Sequence, residues 1–146
     1  MPRHLLIAGV ALAALAYGCG GSSNTTQLPA GYNITISNLS FSPLNLAVPP
    51  GATVTVINRD AMAHTVTSEA SAGAYTPGGV GGVSFDTGEF TGQKSFTIPT
   101  SAIEGTVIPY YCKVHTSTMS TPTGTITIQA SAQQAPGSTV SSGGAY

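Results

Sequence analysis

The segment ATVTVI, residues 52–57, alternates small or polar residues with β-branched apolar ones and follows a Pro-Pro-Gly turn. This period of two places Val54 and Val56 on one face, which predicts a half-buried β-strand. Similar short runs lie between turn residues at 32–37, 44–48, 64–67, 94–98, 106–112 and 123–129. Since no window has a sustained helical period, the sequence predicts an all-β Greek-key β-sandwich of seven or eight strands over residues 32–130.

The composition of the 146-residue chain agrees with this architecture. The chain is 41% hydrophobic and 6% charged, with 18 Gly and 10 Pro, which is typical of short strands joined by many turns. Its length suits one domain with a hydrophobic core and flanking segments. Four Lys and Arg against five Asp and Glu give a formal net charge of −1. This balance excludes a basic nucleic-acid-binding surface as the main function.

Residues 1–18 have the features of an export signal. A positively charged start precedes the apolar run LLIAGVALAALA, which is shorter than the roughly 20 residues that a membrane-spanning helix needs. The junction before Cys19 resembles the lipobox of bacterial lipoproteins, in which the cysteine is lipidated. The resemblance implies an exported protein that Cys19 anchors by lipid to a membrane, facing the periplasm or the cell exterior. An ordinary signal peptide that leaves Cys19 as a spare thiol is the alternative.

Low-complexity segments flank and interrupt the predicted domain. Residues 19–31 are predicted to be a flexible tether, and residues 131–146 a disordered tail. The glycine-rich stretch 68–83 is predicted to be a surface loop. A phosphate-binding loop is disfavoured there, because neither a following helix nor a lysine is visible.

The candidate site lies in the segment CKVHTSTM, residues 112–119, between two predicted strands. This single loop carries the thiol of Cys112, the imidazole of His115 and the thioether of Met119. His64 is the other histidine of the exported chain, and it begins a strand that a sandwich can bring to the same end. Two His, one Cys and a weak axial Met form the ligand set of a type 1 copper site.

The same residues allow four roles that do not involve copper. An exported chain with two cysteines could form a Cys19–Cys112 disulfide. Cys112 could also be a buried structural residue that has His and Met nearby by chance. A Cys–His hydrolase is disfavoured, because Cys112 has neither a family signature around it nor an obvious orienting carboxylate. Zinc would suit Cys and His, but Met is a poor zinc ligand.

The segment YYCKVH at 110–115, together with Met119 and residues 60–67, resembles the plastocyanin-like cupredoxins. The resemblance implies one type 1 copper ion per chain and four copper ligands: His64, Cys112, His115 and Met119. Three residues separate the last two ligands, whereas the family more often has two or four. This spacing should alter the axial bond and the reduction potential without abolishing copper binding.

The expected function is that of a carrier of single electrons, not an enzyme, cycling between Cu(I) and Cu(II). With both histidines of the exported chain assigned to the site, none remains for a second, catalytic copper centre. The expected partners of this monomer are redox proteins such as a cytochrome or a terminal oxidase, and the membrane through the lipid anchor. A copper chaperone or storage protein and a metal-free structural β-sandwich are the alternatives from other classes.

Two electron paths are expected. The resemblance implies that the ring edge of His115 is exposed within an apolar patch to which Met62 and Ala63 contribute. Strand alternation places Tyr111 on the outside of the sandwich, next to the cysteine ligand, where it could mark a second path. Thr65, beside His64 in the sequence, is expected to join the two ligand segments by a hydrogen bond.

Overall fold

The computed structural model of the protein describes residues 25–141. Within this range the chain forms ten β-strands and no helix, so no described segment is a helix able to cross a membrane. The strands are β1 (Thr25–Leu28), β2 (Tyr32–Ser37), β3 (Ser40–Ser42), β4 (Asn45–Val48), β5 (Thr53–Asn58), β6 (Thr67–Ser68), β7 (Gly92–Thr97), β8 (Val107–Tyr111), β9 (Thr123–Ile128) and β10 (Ser138–Ser141).

Eight of these strands form two four-stranded sheets. Their orders are β3-β2-β5-β7 and β4-β9-β8-β6. Each sheet has one parallel pair, β2–β5 or β4–β9, and its other pairs are antiparallel. The predicted all-β sandwich of seven or eight strands is confirmed.

The core lies between the sheets, where the alternating side chains of both face each other. In β2, β5 and β9 every second residue is buried, as the period of a strand requires. Most of these residues are Ile or Val, and burying each such side chain contributes about 1.5–3 kcal/mol. The fully buried aliphatic residues are Ile34, Ile36, Val48, Val54, Val56, Val66, Ile98, Ile108, Ile126 and Ile128.

A two-stranded ribbon lies outside the two sheets. β1 pairs antiparallel with β10, with Thr25 opposite Ser141, and two backbone hydrogen bonds join Gly31 to Ala135. Residues of the predicted flexible tether, 19–31, are therefore paired with residues of the predicted disordered tail, 131–146. Each strand supplies hydrogen-bond partners for the backbone of the other, which neither segment has alone. The predicted signal peptide, residues 1–18, and Cys19 lie outside the described residues.

Candidate metal centre

Two chain segments meet at one end of the sandwich. The first, residues 59–66, follows β5, and a pair of 3.1 Å backbone hydrogen bonds ties its His64 to Phe90. The second, residues 112–119, follows β8. His64 and Cys112 are fully buried, whereas His115 is partly exposed. The fold thus brings together three of the side chains that the sequence singles out.

The ligand atoms form a nearly regular triangle. Cys112 Sγ lies 3.6 Å from His64 Nδ1 and 3.7 Å from His115 Nδ1, and the two nitrogens are 3.2 Å apart. A point in their plane lies about 2.0 Å from all three atoms, close to metal–nitrogen and metal–sulfur bond lengths of about 2.0–2.3 Å. Three lone-pair donors facing each other at this range need a proton or a cation between them. The cluster can hold a metal ion.

Asp60 fixes the ring of His64. Its Oδ2 lies 3.1 Å from Nε2, a distance at which an ionised carboxylate accepts a hydrogen bond from a ring proton on Nε2. That tautomer leaves a lone pair on Nδ1. Burial raises the pKa of Asp60, but the N–H groups of Leu39 and Asn38 and the imidazole of His64 together hold it below its usual value. Burial and the nearby His115 lower the pKa of His64 despite the bond to Asp60. A neutral imidazole beside an ionised carboxylate is the state that metal binding requires.

The contact between Asp60 and His64 is not predicted from the sequence. The two residues are four positions apart in an irregular segment, where no helical or strand period indicates which side chains meet. The signal that could have found it is the general preference of metal-bound histidine for a carboxylate or carbonyl on its second ring nitrogen. Asp60 is the acidic residue nearest to His64 in the sequence.

Thr65 joins the two ligand segments, as the sequence predicts. Its Oγ1 accepts a 2.8 Å hydrogen bond from the N–H of Lys113, and its own N–H donates to Cys112 Sγ at 3.4 Å. The side chain of Thr65 is fully buried, so this link holds the distance between the segments in a protected environment.

We expect Thr65→Val to lower the free energy of unfolding of the metal-free protein by about 1–2 kcal/mol, because the N–H of Lys113 loses its acceptor. Thr65→Ser keeps the hydroxyl and should be clearly more stable than the valine variant. Urea denaturation of both variants measures the difference. A valine variant as stable as the wild type would show that the hydroxyl bond contributes nothing.

An ion pair flanks the centre on its outer side. Lys113 Nζ donates to Asp86 Oδ2 at 2.7 Å, and Thr67 Oγ1 donates to Oδ1 of the same carboxylate at 2.9 Å. The hydrogen bond to Asp86 raises the pKa of Lys113. Since both charged side chains are substantially exposed, the pair contributes little stability. Its effect is to neutralise a positive charge next to Cys112.

Met119 ends the second ligand segment. Its N–H donates to the carbonyl of His115 at 3.1 Å, which turns the chain back towards β9. Its side chain is buried in the hydrophobic core, whereas Met62 in the first segment is 46% exposed. Met119 is thus the buried thioether of the loop that also carries Cys112.

Tyr111 lies on the outer face of β8, as strand alternation predicts, but it is buried there instead of exposed. Its side chain is only 2% exposed, because the predicted surface loop folds over it and the ring of Tyr75 packs edge-on at 5.8 Å between centroids. Fully buried Glu69 holds this loop by accepting hydrogen bonds from the N–H groups of Gly73 and Tyr75. Strand alternation gives the face of a residue but not whether a distant loop covers that face.

The two-sheet sandwich and the His–Cys–His cluster define the class: a protein with the cupredoxin fold and a ligand triad that fits a type 1 copper site. No family model and no curated protein sequence matches the chain. The fold is similar to that of an oxidized methionine-to-leucine mutant of amicyanin, with 24% sequence identity and a TM-score of 0.50. That match covers 68% of this chain and 82% of the amicyanin chain.

Two further solved structures are similar to the chain. One is a novel purple cupredoxin from Nitrosopumilus maritimus, with 27% identity, coverage of 67% of this chain and 99% of that one, and a TM-score of 0.47. The other is the Cu(I) form of a methionine-to-alanine mutant of amicyanin, with 23% identity, coverage of 70% and 85%, and a TM-score of 0.49.

Proposed function

We propose that this protein carries single electrons on one type 1 copper ion that cycles between Cu(I) and Cu(II). The observation that supports the proposal is the triangle of Cys112 Sγ, His64 Nδ1 and His115 Nδ1, whose dimensions suit one metal ion. Thiolate suits Cu(I), while imidazole also suits Cu(II). A sandwich that holds both kinds of donor in place lets the ion change oxidation state with little rearrangement.

Each residue of the proposed site has a distinct part. Cys112 supplies the thiolate, and the two histidines supply neutral imidazoles. We further propose that Met119 would supply a weak thioether ligand, because it is the buried methionine of the ligand loop. The bound copper supplies the redox chemistry, and the chain contributes binding, orientation and exclusion of water. The fully buried His64 and Cys112 close the inner side of the site.

The proposed electron path to the surface runs through His115, the one partly exposed residue of the triad. Met62 and Val114, each next to or near a ligand in the sequence, expose 46% and 40% of their surface. Such apolar surface favours brief contact with a redox partner. We propose that this partner is a cytochrome or a terminal oxidase. A second path would lead from the buried Tyr111 to Tyr75, whose ring packs edge-on against it and is partly exposed.

The proposed location is outside the cytoplasmic membrane, with the monomeric carrier anchored by lipid on Cys19. The apolar run of residues 5–16 and the cysteine that follows it support this proposal. We expect the protein to fractionate with membranes and to incorporate labelled fatty acid, and Cys19→Ser to lose both properties. A wild-type protein that takes up no label would contradict the lipid anchor without affecting the copper proposal.

The test of the function is addition of Cu(II) to the purified protein, followed by a visible spectrum and a redox titration. An intense thiolate-to-copper band that bleaches reversibly on reduction supports the carrier. Copper binding without that band would favour a chaperone or storage protein, and indifference to copper would favour a structural sandwich.

In copper-loaded Met119→Leu we expect the thiolate-to-copper band to persist, with either its wavelength or the reduction potential of the copper ion changed. An unchanged spectrum and an unchanged potential would remove Met119 from the ligand set.

A further inference from the structure

We propose that Asp60 is the positioning residue of the metal centre. It fixes the ring of His64 and places a negative charge behind it, which favours Cu(II) over Cu(I) and lowers the reduction potential of the site. This inference rests on the proposed function, because it concerns the same copper ion. Its first part, the orientation of His64, is a property of the metal-free protein.

The carboxylate of Asp60 is held from two sides. Its Oδ1 accepts a 2.7 Å hydrogen bond from the N–H of Asn38, and its Oδ2 accepts one of 3.0 Å from the N–H of Leu39. The same Oδ2 lies 3.1 Å from His64 Nε2. Both oxygens are therefore engaged, and the carboxylate cannot rotate away from the imidazole without losing backbone hydrogen bonds.

The turn that supplies these two N–H groups has an unusual conformation. Asn38 and Leu39 form the two-residue connection between β2 and β3, and both are left-handed, with φ of 52° and 57°. Hairpin turns of this kind favour Asn-Gly, and a leucine in this region is strained. Strained backbone persists where the surrounding structure determines it. Here the left-handed conformation directs both N–H groups of the turn at the carboxylate of Asp60, so it serves to hold that carboxylate in place.

The same turn also contacts the second ligand segment. The carbonyl of Leu39 accepts a 2.9 Å hydrogen bond from the N–H of Ser120, the residue after Met119. On the other side, the N–H of Asp60 donates to Oδ1 of Asn58 at 3.0 Å. Asp60 thus lies at a junction between β5, the β2–β3 turn and the end of the ligand loop. A fixed position for the carboxylate follows from these contacts.

The charge of Asp60 acts on the metal through one imidazole ring. The negative charge of Asp60, one ring away from the metal, interacts more favourably with Cu(II) than with Cu(I). The side chain of Asp60 is only 15% exposed, so solvent screens this interaction incompletely. A carboxylate on the second ring nitrogen also makes the imidazole a more basic ligand. Both effects stabilise the oxidised ion.

The first test needs no copper. Nitrogen-15 NMR of the metal-free wild-type protein should show His64 as the Nε2–H tautomer, with a ring proton that exchanges slowly with water. Asp60→Asn should speed the exchange or mix the tautomers. A wild-type protein in which His64 is mainly the Nδ1–H tautomer would overturn the inference, whether or not any variant folds.

The second test is the reduction potential of the copper-loaded variants. In Asp60→Asn we expect the preference for Cu(II) over Cu(I) to fall about tenfold, which raises the potential by about 59 mV for a one-electron couple. Glu104→Gln removes the same charge beside the start of β8, far along the strand from Cys112, and is the matched control. Asp60→Glu keeps the charge and should stay closer to the wild type than Asp60→Asn.

The outcomes separate this inference from the proposed function. If the wild-type protein binds copper with the thiolate band but Asp60→Asn shifts the potential no more than Glu104→Gln does, the role of Asp60 in setting the potential is wrong. If the wild-type protein shows no such band, the proposed function fails, and the NMR result still decides whether Asp60 orients His64. If Asp60→Asn does not fold, Asp60→Ser, which also removes the charge, takes its place in the comparison of potentials, and the wild-type tautomer decides the orientation of His64.

Discussion

Cys112→Ser is expected to abolish the intense visible band of the copper-loaded protein and to weaken copper binding by more than about 100-fold. Changes in outer contacts of a metal ligand cost about 10–100-fold, and this substitution removes a ligand itself. A serine hydroxyl is not deprotonated near neutral pH and lacks the soft sulfur that Cu(I) prefers. The band arises from thiolate-to-copper charge transfer, so no residual absorption of that kind should remain.

The second cysteine of the chain provides the matched control. Cys19→Ser makes the same chemical change at a residue outside the predicted domain, and its copper spectrum should equal that of the wild type. Cys112 is the one cysteine among residues 25–141 and is a free, fully buried thiol. A Cys112→Ser protein that keeps the band, or a Cys19→Ser protein that loses it, would contradict the proposed ligand set.

The metal-free variant should remain folded. The thiol accepts one backbone N–H, from Thr65 at 3.4 Å, and the serine hydroxyl can accept from the same donor over a slightly longer distance. We therefore expect the unfolding midpoint of metal-free Cys112→Ser in urea to lie close to that of the metal-free wild type. This comparison separates loss of the ligand from loss of the fold.

The ligand cluster could be predicted because strand alternation and loop spacing are local properties. Cys112 follows β8 directly, and His115 lies three residues further along the same loop, so their proximity depends on one turn of chain. Placing His64 beside them required only the general rule that strand ends of a sandwich meet at its two poles. Residue order and periodicity, which the sequence contains, are sufficient for both.

Other features depend on contacts between distant segments and left no periodic signal. β3 spans three residues and β6 only two, too few for an alternation to be recognised. Tyr111 has the outward position of its strand but is covered by the loop that Glu69 holds in place. The contact of Asp60 with His64 depends on how the irregular segment 59–66 folds back on itself. In each case the structure depends on packing that residue order and periodicity do not reveal.

Gly124→Ala is expected to lower the free energy of unfolding by about 3 kcal/mol, at the upper end of the usual cost of overpacking a core. Gly124 lies opposite Tyr110 in the register of β8 and β9. A Cβ at this position would overlap the phenol ring of Tyr110 and approach the carbonyl oxygen of Leu44 to 2.9 Å. Glycine is needed here for space, because even one methyl group has no room.

The ring of Tyr110 has little freedom to move aside. It is fully buried, packs edge-on against Phe41 at 5.1 Å between centroids, and donates a 3.4 Å hydrogen bond to the carbonyl of Pro43. Burial also raises its pKa well above the usual value for a tyrosine, so the hydroxyl stays a donor at any ordinary pH. The strain of an added methyl must therefore pass into the backbone of β8 or β9.

A double-mutant cycle in urea tests whether the Tyr110 ring causes the clash. If it does, Gly124→Ala should cost much less in a Tyr110→Leu background than in the wild type, giving a coupling free energy of about 1–3 kcal/mol. Additive effects of the two substitutions would show that Gly124 is required for another reason.

The copper spectrum of Gly124→Ala should change as well, because Tyr110 lies two residues before Cys112 in the sequence. We expect the folded fraction of this variant to bind copper with an altered thiolate band. Such a change would link the packing of Gly124 to the geometry of the metal centre.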